Sequence, residues 1–189
     1  APRLSLAADA RRQPRGGGGG GGGGGQWQRR HLAKRAAGRR LDRRTDVATF
    51  NTSPLSKELQ LFGRPQLSVM AQADHPGFDL CVSLSRCIEG GDRAEQLSTG
   101  VLRVLGNKAQ MALEHVVQLQ PLSATLEVGD QLRLSIAAAA WPAVGVNPGD
   151  DTTPSGAPSP QHRVVTLTLH LTDSKLQLIP MNSGKLENA

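Results

Sequence analysis

Aromatic residues are scarce in this sequence of 189 residues. Phe, Trp and Tyr together make up 3% of the chain, and Tyr is absent altogether. A protein that stacks nucleic-acid bases on its surface needs several exposed aromatic side chains, so the composition argues against such a platform. The hydrophobic core must instead be built from Leu, Val, Ile and Ala.

Metal-ligating patterns are also missing. The two cysteines, Cys81 and Cys87, match no zinc-binding spacing, and no second pair exists to complete a four-ligand site. We predict thiols rather than a disulfide, on the face of a strand opposite its apolar side chains. Asp150 and Asp151, with Asp173 further along, lack the interleaved oxygen ligands of a calcium loop. We therefore expect no metal and no cofactor.

Long hydrophobic runs do not occur. No apolar stretch reaches the length of a membrane-spanning helix, and no hydrophobic segment follows a charged start as in a secretory signal. We expect no membrane association and a cytoplasmic protein. The chain begins with Ala rather than Met, which suggests a fragment or a processed product.

The nucleophile motif of α/β-hydrolases, Gly-x-Ser-x-Gly on a strand-to-helix turn, is absent. His115, His170, Ser135 and Asp130 would form a triad only if a sandwich brought distant strands together, and spacing along the chain does not supply that geometry. We favour a simpler interpretation, in which the histidines lie on the polar faces of strands. We predict no catalytic residue and no activity of the chain alone.

Charge is distributed unevenly along the chain. The formal net charge is +6, but residues 1–44 hold twelve Lys and Arg against two acidic residues, and the remainder is mildly acidic. The unbroken glycine run at 16–25 cannot bury apolar surface. We predict a disordered Gly/Arg-rich tail over residues 1–45. Nucleic-acid binding through this tail is the weakest alternative, because repeated Arg-Gly-Gly units with interleaved aromatics are missing.

Short segments that alternate between apolar and polar residues dominate the remainder of the chain. Such alternation is typical of half-buried strands, and about eight strands follow at sandwich-like intervals with no long helix. The predicted strands include 47–52, 66–73, 78–85, 101–105, 113–119, 131–136, 164–172 and 176–178. We predict an all-β jelly-roll sandwich over residues 46–181 and a C-terminal tail over 182–189.

One long loop, residues 143–161, is rich in Pro, Gly, Asp and Ser and follows directly after Trp141-Pro142. Long surface loops often carry function. We predict a contact surface formed by Trp141, Asn147 and Asp150. The alternative for Trp141 is an aromatic plug over the open end of the core.

The order of several motifs resembles the C-terminal domain of the CocE/NonD hydrolases, which include X-Pro dipeptidyl-peptidases, cocaine esterase and α-amino-acid ester hydrolases. That family shows an Arg-x-Asp-Val start, a Pro-Leu…Gly-Pro step and a strand ending in Ser-Asp-x-Pro-x-x-Asp. The resemblance covers roughly residues 44–181. The matching residues here are Arg44, Asp46, Val47, Pro54, Leu55, Gly63, Pro65, Asp74, Pro76, Asp79, Gly129, Asp130, Trp141, Pro142, Asn147 and Pro148.

The resemblance implies a jelly roll similar to galactose-binding domains. It also implies a partner, an α/β-hydrolase catalytic domain that carries the Ser-His-Asp triad upstream. The jelly roll would pack on that domain and help to shape the cleft for a peptide or ester substrate. Residues 4–14 resemble the family's strand just before this domain, and the glycine run and arginines replace the family's proline-rich connector. The alternative is a free-standing carbohydrate-binding module that uses Trp141 and the 143–161 loop.

Overall fold

The computed structural model describes residues 3–5, 44, 46–88, 94–152, 160 and 162–179. Within these ranges, the regular elements are β-strands and one short 3-10 helix, Asn107–Gln110. The strands are β1 Arg3–Ser5, β2 Val47–Asn51, β3 Leu59–Gly63, β4 Gln66–Ala73, β5 Gly77–Cys87, β6 Ala94–Leu105, β7 Leu113–Gln118, β8 Leu122–Leu126, β9 Gln131–Ala137 and β10 Leu167–Gln177. The prediction of an all-β fold is confirmed.

The strands form three antiparallel sheets. Sheet A has the order β1-β10-β4-β7, sheet B has the order β2-β9-β5-β6, and β3 pairs with β8 in the small sheet C. One cluster of buried apolar residues draws on all three sheets, as in a sandwich with a single core. The similarity to a galactose-binding jelly roll stays a prediction.

The alternation predicted for β4 is confirmed by burial. Leu67, Val69, Ala71 and Ala73 are all 5% exposed or less, because they point from sheet A towards sheet B. Phe78 of β5, which is 1% exposed, is the largest side chain buried in this core. Each large apolar side chain removed from water in this way stabilises the fold by about 1.5–3 kcal/mol.

The sandwich has two distinct ends. A short turn at 74–76 joins β4 to β5, so β4 ends and β5 begins at the same end of the sandwich. Because β9 is antiparallel to β5, β9 also ends there, and Trp141 follows it. We call this the Trp141 end. At the opposite end β4 begins with Gln66, which lies opposite Gln177 of β10. β1 begins there too, since Arg3 also lies opposite Gln177. We call this the Gln177 end.

Several elements differ from the predicted strands. β1 lies within the segment predicted as a tail, where the family resemblance of residues 4–14 had indicated a strand. The rest of that segment, apart from residue 44, lies outside the described residues, as do residues 180–189, so the domain limits at 46 and 181 and the disorder of the tail stay predictions. The two predicted strands at the end of the chain are one strand, β10, with an irregularity between His170 and Lys175.

The thiol prediction agrees with the structure. Cys81 and Cys87 are both buried, and neither forms a disulfide. Cys81 lies opposite Ala137 of β9, on the outer face of sheet B, because its neighbours Leu80 and Val82 belong to the core. No helix among the described residues is long and apolar enough to cross a membrane.

Candidate functional site

A buried ion pair lies on the outer face of sheet B at the Trp141 end. Asp79 of β5 lies opposite Arg103 of β6, and it points outward because Phe78 and Leu80 point into the core. Arg103 donates from Nε to Asp79 Oδ1 at 2.8 Å and from Nη2 to Oδ2 at 2.7 Å. This two-pronged geometry is the strongest form of an Arg–carboxylate contact.

The ion pair anchors the loop that follows β9. Arg103 Nη2 also donates to the carbonyl oxygen of Gly145 at 2.6 Å. Asn147 Nδ2 donates to Asp79 Oδ1 at 3.0 Å, and Asn147 Oδ1 accepts from the backbone N–H of Gly149 at 3.0 Å. Asp79 is only 1% exposed, because this loop covers it. The loop is therefore held at two points: Arg103 binds its backbone at Gly145, and Asp79 binds the amide side chain of its Asn147.

Gly77 allows the loop to come this close. A Cβ atom at this position would lie 2.2 Å from the carbonyl oxygen of Asp150 and 2.8 Å from Asn147 Oδ1, which is closer than any side chain tolerates. Gly149, with a φ of 80°, turns the loop in a conformation that L residues rarely adopt. Two glycines thus set the path of the loop over sheet B.

The electrostatics of the site indicate a structural role rather than a catalytic one. The hydrogen bonds to Asp79 raise the pKa of Arg103, so its guanidinium stays charged. Burial, and then the charge of Asp79, raises the pKa of the Cys81 thiol to about 12. A thiol that stays protonated is a poor nucleophile, so Cys81 is not equipped for covalent catalysis.

The three residues of the predicted contact surface have different surroundings. Trp141 is half-buried and joined to Pro142 by a cis peptide bond. Asn147 is buried and serves as an anchor of the loop. Asp150 is half-buried, and hydrogen bonds from the hydroxyl and the backbone N–H of Thr152 lower the pKa of its carboxyl. Binding of a ligand by these residues stays a prediction.

The residues considered for a triad do not come together. Asp130 forms an ion pair with Arg86 Nε at 2.6 Å near the Gln177 end. Ser135 lies on the outer face of sheet B, opposite Ser83. His170 is exposed on the outer face of sheet A, opposite Met70. His115 lies apart from all three, inside the core.

The prediction that His115 lies on a polar strand face is wrong. It is buried, and its ring meets that of Phe78 edge-on at 5.4 Å between centroids. The reason is the parity of β7: His115 and Val117 point into the core, whereas Val116 between them is exposed. Burial lowers the pKa of His115, and a neutral ring fits this position. For His170 the prediction of a polar face is correct.

No group of three or more His, Cys, Asp or Glu side chains in the described part of the chain is arranged to hold a metal ion. The anchoring residue that the sequence analysis missed is Arg103. The sequence signal for this residue is a pair of opposite charges on consecutive strands. Arg103 lies at an outward position of one strand, and Asp79 lies at an outward position of the strand before it. That signal is too common to single out one pair without the register.

The comparison with family models identifies the chain. Residues 17–177 match the model described as the X-Pro dipeptidyl-peptidase C-terminal non-catalytic domain. The match spans most of the chain, and the chain belongs to this family. The resemblance derived from the motifs at residues 44–181 is confirmed. A search of curated protein sequences found no match.

Solved structures of hydrolases share the fold. An aminopeptidase from a marine sediment archaeon, Thaumarchaeota archaeon, superposes with a TM-score of 0.67 at 21% identity over 76% of this chain. An α-amino acid ester hydrolase gives 0.62 at 20% identity over 76% of this chain. A CocE/NonD family hydrolase from Staphylococcus aureus gives 0.51 at 16% identity over 71% of this chain. The matched region spans only 27%, 27% and 30% of those chains, respectively.

Proposed function

We propose that this chain is the C-terminal domain of a CocE/NonD-type α/β-hydrolase. In that enzyme it packs on the catalytic domain and helps to shape the cleft for a peptide or ester substrate. The observation that carries the proposal is the match of residues 17–177 to a C-terminal domain described as non-catalytic. The similar solved structures, named as an aminopeptidase and hydrolases, are several times longer than the matched region.

The chemistry of the described residues supports a role without catalysis. His115 is enclosed in the core, Asp130 is paired with Arg86, and Cys81 holds its proton. A hydrolytic site needs a nucleophile and a base within hydrogen-bonding distance, and these residues lie on different faces of the sandwich. Two cysteines without a disulfide suit a reducing compartment, so the proposal includes a cytoplasmic location.

Labelling of the native polypeptide tests this proposal. An antibody raised against this chain and a fluorophosphonate probe for reactive serines should mark the same polypeptide in an extract of the source cells. That polypeptide should be about two to three times as long as the 189-residue chain. An antibody-reactive polypeptide of the chain's own length, with no probe label, would contradict the proposal.

Carbohydrate binding at the Trp141 end is the second candidate. The observation in its favour is the anchored loop, which follows directly after the half-buried Trp141, because an aromatic ring beside a fixed loop can stack against a sugar. A glycan array should then give a signal with the isolated chain that is lost on Trp141→Ala and kept on Met111→Ala, an exposed residue at the same end. An empty array removes this candidate.

A further inference from the structure

Two exposed apolar residues lie side by side at the Gln177 end. Phe62 of β3 is 58% exposed, and Ile179, just after β10, is 49% exposed. The backbone N–H of Phe62 donates to the carbonyl oxygen of Ile179 at 3.0 Å. A Cβ atom on Gly63 would lie 3.2 Å from Ile179 Cδ1, so the side chain of Ile179 lies over β3. We call these two residues the Phe62–Ile179 patch.

The same end of the sandwich holds further exposed apolar residues. β5 ends and β9 begins there, since Cys87 lies opposite Gln131. Ile88, which follows β5, is 40% exposed, and Val128, in the turn before β9, is 60% exposed. Exposed apolar side chains scattered singly need no explanation, whereas apolar residues on adjoining backbone segments, such as Phe62 and Ile179, are typical of a contact surface.

The start of β1 lies beside the patch. Arg3 pairs with Gln177, two residues before Ile179, and β1 runs antiparallel to β10. A polypeptide that leads into β1 therefore arrives at the Gln177 end. The family domain is C-terminal, and the matched region is 27% of the aminopeptidase and of the ester hydrolase. Because the family domain is described as C-terminal, we take the remaining polypeptide of such a protein to precede this chain and to connect to it through β1.

We propose that the Phe62–Ile179 patch is the surface on which the preceding catalytic domain docks. This inference rests on the proposed function and names the surface that it uses. Exposed aromatic and aliphatic side chains are the usual anchors of such contacts. A domain connected to Arg3 is already held close to the patch. Docking on the patch therefore costs that domain little further translational and rotational freedom. The Trp141 end, with Met111 and Val164 exposed, faces away from this contact.

Hydrogen exchange locates the docking surface without any substitution. The full polypeptide, with its upstream region, is compared with the chain alone. We expect the amides of residues 59–64 and 176–179 to exchange at least about tenfold more slowly in the full polypeptide, and those of residues 107–113 to be unchanged. If the upstream region carries a labelled serine but protects another face, the docking surface is wrong and the proposed function stands. If no upstream hydrolase exists, both are wrong.

A pair of variants tests the same surface by stability. Phe62→Ser in the full polypeptide should separate a joint thermal transition into two, because the two domains no longer stabilise each other. Val164→Ser, which replaces a 90% exposed residue at the Trp141 end, should leave the joint transition intact. An unchanged transition for Phe62→Ser contradicts the inference. So does a dimer of the isolated chain that Phe62→Ser abolishes, because a second copy would then be the occupant of the patch.

Discussion

At the scale of single residues, the carboxylate of Asp79 joins two parts of the molecule that are remote in the sequence. It accepts hydrogen bonds from Arg103 of β6 and from Asn147 of the loop. Because Asp79 is 1% exposed, water cannot replace either contact. The loop and the outer face of sheet B are therefore stabilised together.

Asp79→Asn should destabilise the domain substantially. The change leaves the guanidinium of Arg103 without its counter-charge, and breaking a buried pair by removing one partner costs about 3 kcal/mol or more. Urea denaturation of the isolated chain measures this loss. Asp151→Asn, which replaces an exposed carboxyl, is the matched control and should change the free energy of unfolding by less than about 0.5 kcal/mol. Equal effects of the two variants would contradict the anchoring role.

His115 should make the domain sensitive to acid. Its pKa is lowered by burial, and to a lesser extent by the charge of Lys108, while a hydrogen bond to the backbone of Ala71 opposes the shift. Between its lowered pKa and the ordinary pKa of about 6.5, His115 is therefore less protonated in the folded state than in the unfolded state. Stability is retained above this pH and is lost as the pH falls towards the lowered pKa.

The measurement for His115 is the free energy of unfolding between about pH 7.5 and about pH 5, a window that reaches further below the ordinary pKa than above it because the pKa of His115 is lowered. His115→Leu should remove part of the acid-induced loss, because an aliphatic side chain does not titrate. His170→Leu, at an exposed position on sheet A, should keep the full pH dependence. If His115→Leu follows the same pH curve as the unsubstituted chain, the buried ring is not the origin of the sensitivity.

At the scale of elements, the close packing of the loop on β5 depends on the absence of a side chain at Gly77. Gly77→Ala should push the carbonyl of Asp150 away and destabilise the domain by about 2 kcal/mol, as overpacking does. Hydrogen exchange of residues 145–150 should become faster in this variant. Gly106→Ala is the control: it has open space around it and a φ of 79°, so it adds about 1 kcal/mol of backbone strain without loosening the loop.

The sequence was sufficient for elements whose pattern is local. β4 follows from the alternation of Leu67, Val69, Ala71 and Ala73, because the period of two places all four on one face. β1 is only three residues long, and its pairing with β10 depends on a partner far along the chain. The irregularity in β10, where Ser174 donates to the carbonyl oxygen of His170 at 2.7 Å, also has no signature in the alternation.

The candidate site was less predictable than the fold. Trp141, Asn147 and Asp150 stand out in the sequence by type and position, but only the hydrogen bond from Asn147 to Asp79 shows that Asn147 is an anchor. The pairing of Asp79 with Arg103 depends on which residues of β5 and β6 lie opposite each other. A shift of one residue would move Arg103 to the inner face, and the ion pair would not form.

At the scale of the whole molecule, the two candidate contacts lie at opposite ends of the sandwich. The Gln177 end receives β1 and carries the Phe62–Ile179 patch, whereas the Trp141 end carries the anchored loop. Docking of a catalytic domain and binding of a carbohydrate would therefore use separate surfaces. Substitutions at one end should leave the contact at the other end unchanged, because the shared core lies between them.

We propose that this domain has no hydrolytic activity of its own and serves a catalytic domain. The most direct test is an assay of the purified chain with Xaa-Pro chromogenic amides and activated esters, beside the full polypeptide that includes its upstream region. We expect turnover by the full polypeptide, sensitive to a serine-directed inhibitor, and none above the uncatalysed rate by the chain alone. Turnover by the chain alone that the same inhibitor abolishes would contradict this proposal.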